Sequence, residues 1–170
     1  MSPICATREG DSIVRFYDRK YYMFSTYSAH RVFWRGEFWA TAEHAYQAAK
    51  FDPEDPRGLE VIVAIKDASS PDRAKELARN HEHIKRPDWP RIKLPVTREI
   101  TKAKLLQHLD VREGLLETGT RQIVENSPDS FWGWGRNTRG LNHRGKIWME
   151  LRLELQSEKP ESKKFKHVSL

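Results

Sequence analysis

The order of apolar and polar positions lays out most of the elements. Ile13-Val14-Arg15-Phe16-Tyr17 is rich in β-formers and predicts a strand. Arg31-Val32-Phe33-Trp34 and Glu37-Phe38-Trp39 flank Arg35-Gly36, which reads as a short hairpin with Gly36 in the turn. Thr41 then occupies an N-cap position with Glu43 in the first turn, and the Ala-rich run from Ala42 to Phe51 predicts a helix that ends before Asp52-Pro53. Gly58 to Lys66 reads as helix, although its β-branched residues leave a strand open. Ser70-Pro71-Asp72 is a helix start of cap, N1 proline and first-turn acid, with Ala74, Leu77 and Ala78 facing inward and Asn80 at the end.

Further along, Pro87 to Pro90 predicts a break. Thr97 to Leu109 follows as a helix with Ile100, Ala103, Leu105, Leu106 and Leu109 on one side. Asp110 with Glu113 resembles a capping box, and Gly119 closes the short helix after it. Gln122-Ile123-Val124-Glu125 reads as a strand. Asn142 is placed to cap a last helix through Gln156, with Ile147, Trp148, Leu151 and Leu155 inward. The expected fold is α+β, a single helix-rich domain with a small antiparallel sheet from the N-terminal strands.

Composition adds bounds rather than detail. A chain of 170 residues without internal repeats suits one domain, assigned to residues 1–156. Residues 157–170 are polar, basic and interrupted by Pro160, and read as a flexible tail. The single Cys5 excludes an internal disulfide and a cysteine zinc cluster. No stretch has the apolar length of a membrane span, and the first residues lack the shape of a signal peptide. The expectation is a reduced, soluble, cytoplasmic protein. The net charge of +6 favours anionic partners.

Three patches carry candidate chemistry. In the helix from Ala42, Glu43, Gln47 and Lys50 stand at i, i+4 and i+7, so they share a face. Glu43 and Lys50 would lie about 10 Å apart along the axis, too far for a tight ion pair but suited to a small ligand between them. An ordinary solvated face has the same pattern. His44 lacks the partners of a zinc-hydrolase motif. The second patch, Phe131-Trp132-Gly133-Trp134-Gly135-Arg136-Asn137-Thr138-Arg139-Gly140-Leu141-Asn142, combines flat aromatic surface, glycine and arginine before a helix start. That is what a nucleotide-binding loop needs, and equally what a glycine-rich turn with core tryptophans looks like. The third, Lys85 to Lys104, holds seven Lys or Arg against Asp88 and Glu99, with Trp89 among them, and can face phosphates or solvent. His81-Glu82-His83 is too short a tract to specify a metal.

Taken in order, these stretches resemble the YbiA-like family, also called the NADAR domain. The resemblance rests on Tyr22-Met23-Phe24-Ser25-Thr26-Tyr27, on Thr41 to Phe51, and on Arg86-Pro87-Asp88-Trp89 with Lys102-Ala103-Lys104. It continues through Leu116-Glu117-Thr118-Gly119, Phe131-Trp132-Gly133 with Gly135, Gly140-Leu141-Asn142, and Gly145 to Arg152. It implies an N-glycosidase without metal or cofactor. The bond hydrolysed would be C1–N of a phosphorylated ribose, in ADP-ribose attached to guanine of a nucleic acid or in a riboflavin-pathway intermediate. By the same resemblance Glu43 and Lys50 are the catalytic pair, and Phe24, Ser25, Trp89, Trp132, Gly135, Asn137 and Asn142 contact substrate. Either a water activated by Glu43 or an attack by Lys50 satisfies the chemistry of an oxocarbenium-like transition state. Two positions depart from the family pattern: Thr26 replaces an amide, and Asn137 replaces an acid. The second keeps open a binding module for ADP-ribose, nucleotide or nucleic acid that does no chemistry.

Overall fold

The computed structural model describes residues 12–17 and 19–157. Cys5 and residues 158–170 of the expected tail lie outside them. Strand β1 (Ile13–Phe16) leads into a 3-10 segment (Arg19–Phe24). Strands β2 (Val32–Trp34) and β3 (Glu37–Trp39) form the expected antiparallel hairpin. Its turn puts Arg35 at φ 49° and Gly36 at φ 80°, the two left-handed residues that match the twist of a tight hairpin.

Helix α1 (Ala42–Ala48) follows, capped by the Thr41 side chain. It stops earlier than predicted, so Lys50 lies in the turn after it rather than on its surface. Helices α2 (Pro56–Lys66) and α3 (Pro71–Asn80) start at Asp55 and Ser70, whose side chains accept from backbone N–H groups of the first turn.

The largest departure from expectation is α4 (Trp89–Gln107). Pro90 sits in its first turn, where a missing N–H costs nothing. Pro95 lies inside the helix and removes an internal hydrogen bond, at a cost of about 3 kcal/mol. Burial of Trp89, Val96, Thr97, Ile100, Thr101, Lys104 and Leu105 on one side offsets that cost.

Helix α5 (Leu109–Glu117) comes next, then β4 (Gln122–Glu125) and α6 (His143–Ser157). Asp110 does not cap α5. It lies inside the first turn, and its carboxylate accepts from His30 instead. The sheet also differs from expectation. β1 pairs in parallel with β4, not with the hairpin, so the described residues form two separate two-stranded sheets.

The buried apolar residues fall into two clusters. One joins the hairpin, α1, α2, α3 and α4, through Trp34, Trp39, Tyr46, Phe51, Ile65 and Ile100. The other joins β1, β4, α5 and α6 through Phe16, Phe24, Leu115, Ile123, Trp148 and Leu151. Helix α4 contributes to both, Ile100 to the first and Leu105 to the second. A polar cleft sits where α1, from the first cluster, faces β4 and α6, from the second.

Candidate active site

The cleft has a volume of about 310 Å³ and draws its walls from α1, β4, α6 and the loops around them. Glu43 lies at its inner end, 2 % exposed. Its Oε2 accepts from Thr26 Oγ1 at 2.6 Å and its Oε1 accepts from Gln47 Nε2 at 2.6 Å. The Glu43 backbone N–H donates to Thr26 O at 2.9 Å, so the segment before the hairpin is pinned to the start of α1 at two points. The i, i+4 spacing of Glu43 and Gln47 is thus used inside the helix face, as a hydrogen bond that orients the carboxylate.

Opposite stands Glu125, the last residue of β4, equally buried. Arg144, in the first turn of α6, lies between the two acids. Its Nη1 donates to Glu125 Oε1 at 2.7 Å and its Nη2 is 3.8 Å from Glu43 Oε2. Burial works against the guanidinium charge, but Glu125 and Glu43 more than offset it and hold Arg144 protonated beyond its ordinary range. The guanidinium carbon is also 5.0 Å from the Trp132 ring centroid and 5.8 Å from that of Tyr46, which fixes its plane between two aromatic walls.

Two backbone features make this contact possible. Gly145 faces β4 so closely that a Cβ would stand 2.2 Å from Ile123 O. Asn142, at φ 51°, turns its side chain onto β4, where Oδ1 accepts from Glu125 N at 3.0 Å and Nδ2 donates to Ile123 O at 2.9 Å. Asn142 stands at the N-cap position of α6, where its carbonyl accepts from Lys146 N at 3.0 Å, but its side chain does not cap the first turn. It completes the free edge of β4, and so places Glu125 and Arg144 side by side.

Lys50 lines the outer part of the cleft together with Lys75. Desolvation lowers the Lys50 pKa from its ordinary value, and Glu43 partly opposes that. Burial, reinforced by the charge of Glu43, pushes the Tyr27 and Tyr46 phenols upward, so both stay protonated donors across the neutral range; for Tyr46 Arg144 opposes. Among the described residues, four buried side-chain atoms lack a hydrogen-bond partner: Gln47 Oε1, Glu125 Oε2, Ser127 Oγ and Arg144 Nε. All four belong to residues of this cleft. Buried polar atoms are rarely left unpaired, and this cluster of them leaves donors and acceptors open to water or to a polar ligand in the cleft.

The cleft brings together Glu43, Lys50, Ser25 and Trp132 of the residues singled out in the sequence. The others stand elsewhere. Trp89 is behind the wall, with its ring centroid 5.3 Å from that of Tyr46. Phe24 is in the second apolar cluster against Phe16 and Trp148. Gly135 is in the loop after Trp132, at φ 68°. Asn137 is exposed, and its Oδ1 accepts from Arg139 N at 3.2 Å. Asn142 is committed to β4. Sequence reasoning missed Arg144, Glu125, Tyr46 and Thr26 as members of the site. One signal for Arg144 was present: a cation in the first turn of a helix opposes the macrodipole and calls for an acidic partner.

Comparison with known proteins gives the same picture at the level of the whole chain. Residues 15–156 match the model of the NADAR domain. A Nostoc punctiforme protein named N-glycosidase Npun_R5314 is 43% identical over 138 residues, covering 81% of this chain and 87% of that protein. The Shigella flexneri N-glycosidase YbiA is 37% identical over 152 residues, covering 88% and 92%. A Vibrio vulnificus riboflavin biosynthesis protein, VVA0006, is 39% identical over 126 residues, which are 74% of this chain but 33% of that protein. The NMR structure of Escherichia coli YbiA superposes with a TM-score of 0.79 at 34% identity, over 92% of each chain. The two apolar clusters, the cleft at their seam and these matches make the chain a member of the NADAR domain family.

Proposed function

We propose that the protein is an N-glycosidase that hydrolyses the C1–N bond of a phosphorylated ribose at the Glu43 cleft. The observation that carries this reading is the carboxylate of Glu43. It is buried at the inner end of a polar cleft, is oriented on both oxygens by Thr26 and Gln47, and faces Arg144. Breaking C1–N develops positive charge on the sugar, and a fixed carboxylate beside C1 stabilises that charge. The same carboxylate takes a proton from the attacking water, the water oxygen bonds to C1, and the nitrogen leaves and is protonated. Arg144, Gln47 and Ser127 carry unpaired atoms suited to ribose hydroxyls or a phosphate oxygen. Lys50 and Lys75 at the outer part of the cleft suit the phosphates.

The lowered pKa of Lys50 favours a second route to the same products. A neutral amine attacks C1, the nitrogen base leaves, and the opened sugar remains as a Schiff base until water releases it. Substrates of both kinds fit this chemistry: ADP-ribose attached to guanine in nucleic acid, and the ribosylamines of riboflavin biosynthesis, the process for which the Vibrio relative is named.

The test incubates the protein with ADP-ribosylated guanosine, ADP-ribosylated DNA and riboflavin-pathway amines, and measures the released sugar phosphate. Turnover should fall at least 100-fold in Glu43→Gln, the range of general acid–base catalysis. Borohydride during turnover traps an adduct at Lys50 only if the Schiff-base route operates. ADP-ribose binding without turnover, unchanged in Glu43→Gln, would replace the enzyme with a non-catalytic binding module.

A further inference from the structure

A second group of side chains, away from the cleft, has the composition and placement of a metal site. His30 precedes β2, His108 joins α4 to α5, and Asp110 is in the first turn of α5. One ligand atom from each lies within 4.8 Å of the other two. His30 Nε2 and Asp110 Oδ2 are already 2.8 Å apart, and the two imidazole rings meet edge to face with centroids 4.9 Å apart.

The hydrogen bonds behind these groups decide which atoms are free to coordinate. His108 Nε2 is 2.6 Å from the carbonyl oxygen of Arg31. A carbonyl only accepts, so Nε2 carries the hydrogen and Nδ1 of the neutral ring keeps its lone pair. His30 Nδ1 is 2.9 Å from Ser28 Oγ. Asp110, which only accepts, holds the hydrogen on His30 Nε2 in the ion-free protein. The Ser28 hydroxyl has its own acceptor in Ser25 O at 3.0 Å, so it can take Nδ1–H when a cation displaces the Nε2 hydrogen and takes up its lone pair. A histidine that binds a metal through one nitrogen and donates the other N–H to a carbonyl or hydroxyl is the usual arrangement around zinc.

We propose that His30 Nε2, His108 Nδ1 and Asp110 bind a zinc ion, with water in the fourth position. Two imidazoles and a carboxylate are zinc ligands, and a tetrahedral site at about 2.0–2.1 Å per ligand requires them about 3.3 Å apart. Rotation of the Asp110 side chain, which is 63% exposed, closes the present spread and leaves an open path for the ion. The ion ties the segment before the hairpin to the α4–α5 junction. That segment also carries Ser25 and Tyr27, which line the cleft, and Thr26, which holds Glu43, and Ser28 links the site to it through the buried Lys104, whose Nζ donates to both Ser25 O and Ser28 Oγ. Zinc here is a staple beneath the cleft wall and takes no part in the reaction proposed for Glu43, so it stands or falls separately from it.

The test uses the full untagged chain after treatment with EDTA, dialysed against zinc chloride, with bound metal measured per chain. One zinc per chain is expected. Affinity should fall at least tenfold in both His108→Ala and Asp110→Asn and stay unchanged in His83→Ala, which alters the other histidine pair. Cobalt(II) in place of zinc should give the intense visible bands of a tetrahedral N,O site, reduced in the same two variants. Circular dichroism identifies any variant that has lost its fold, and the exposed position of Asp110 makes Asp110→Asn the one that decides. No stoichiometric uptake by the unaltered chain, or uptake that Asp110→Asn leaves unchanged, overturns the proposal.

Discussion

Arg144 and Glu125 form a buried ion pair at 2.7 Å, and the same guanidinium stands 3.8 Å from Glu43, so one cation separates two carboxylates. Removing it leaves two acids in a desolvated cleft. Arg144→Met should therefore destabilise the fold by about 3–5 kcal/mol, the range for a buried charge stripped of its partner. The double variant Glu125→Gln with Arg144→Met should recover part of that loss, because one of the two uncompensated charges is gone. Urea denaturation of the set measures both effects. A double variant no more stable than Arg144→Met would show that packing against Trp132 and Tyr46, and not charge, is what Arg144 supplies.

Thr26 replaces an amide of the family pattern, yet its hydroxyl donates to Glu43 Oε2 at 2.6 Å. A hydrogen bond to a charged group is worth about 1.5–3 kcal/mol, so an effect of about tenfold or more on turnover is expected when it is removed. Thr26→Val should lower kcat with little change in KM, and Thr26→Ser should retain activity. Equal kcat for Thr26→Val and the unaltered chain would mean that Gln47 alone orients the carboxylate.

Local signals in the sequence predicted local structure well. The Arg35-Gly36 turn and the caps at Thr41 and Ser70 depend on neighbours a few residues away, and all three form as read. Glu43 and Lys50 were legible as candidates for the same reason, since they share one short segment. What could not be read is set by distant partners. Pro95 argues against a helix locally, and only the buried side of α4 outweighs it. The parallel pairing of β1 with β4 joins residues more than 100 positions apart, and nothing in either strand names the other. Asn142 has the residue type of an N-cap, but its φ of 51° and its two bonds to β4 make it a clamp. The pairing of Glu125 with Arg144 follows from that clamp and is equally hidden.

Gly145 offers a separate test of the β4–α6 contact. A Cβ there would stand 2.2 Å from Ile123 O and 2.4 Å from Asn142 Nδ2, both in groups that cannot swing aside freely. Gly145→Ala should cost about 1–3 kcal/mol by overpacking, despite the better helix propensity of alanine. Because α6 must move away from β4, Arg144 should lose its bond to Glu125, and turnover should fall with stability. Stability equal to or above that of the unaltered chain would mean that the helix shifts without strain.

Lys104 gives the chain a pH dependence that can be predicted in sign. Burial pushes its ammonium group down to about 7 from an ordinary 10.5, and the Asp110 charge opposes that only in part. Below pH 7 both the folded and unfolded chains hold the proton, and the full cost of burying the charge is present. Between 7 and 10.5 the folded chain releases the proton first, so the unfolded chain binds more protons and stability rises with pH. The lowered Lys50 acts in the same direction, whereas the raised Tyr27 and Tyr46 reverse the trend above 10. From pH 7 to about 9.5 the gain expected from Lys104 is about 2–3 kcal/mol. Urea midpoints across that interval should rise in the unaltered chain and rise less in Lys104→Met, where only the Lys50 contribution is left. Parallel profiles for the two proteins would mean that Lys104 keeps its proton through its bonds to Ser25 and Ser28.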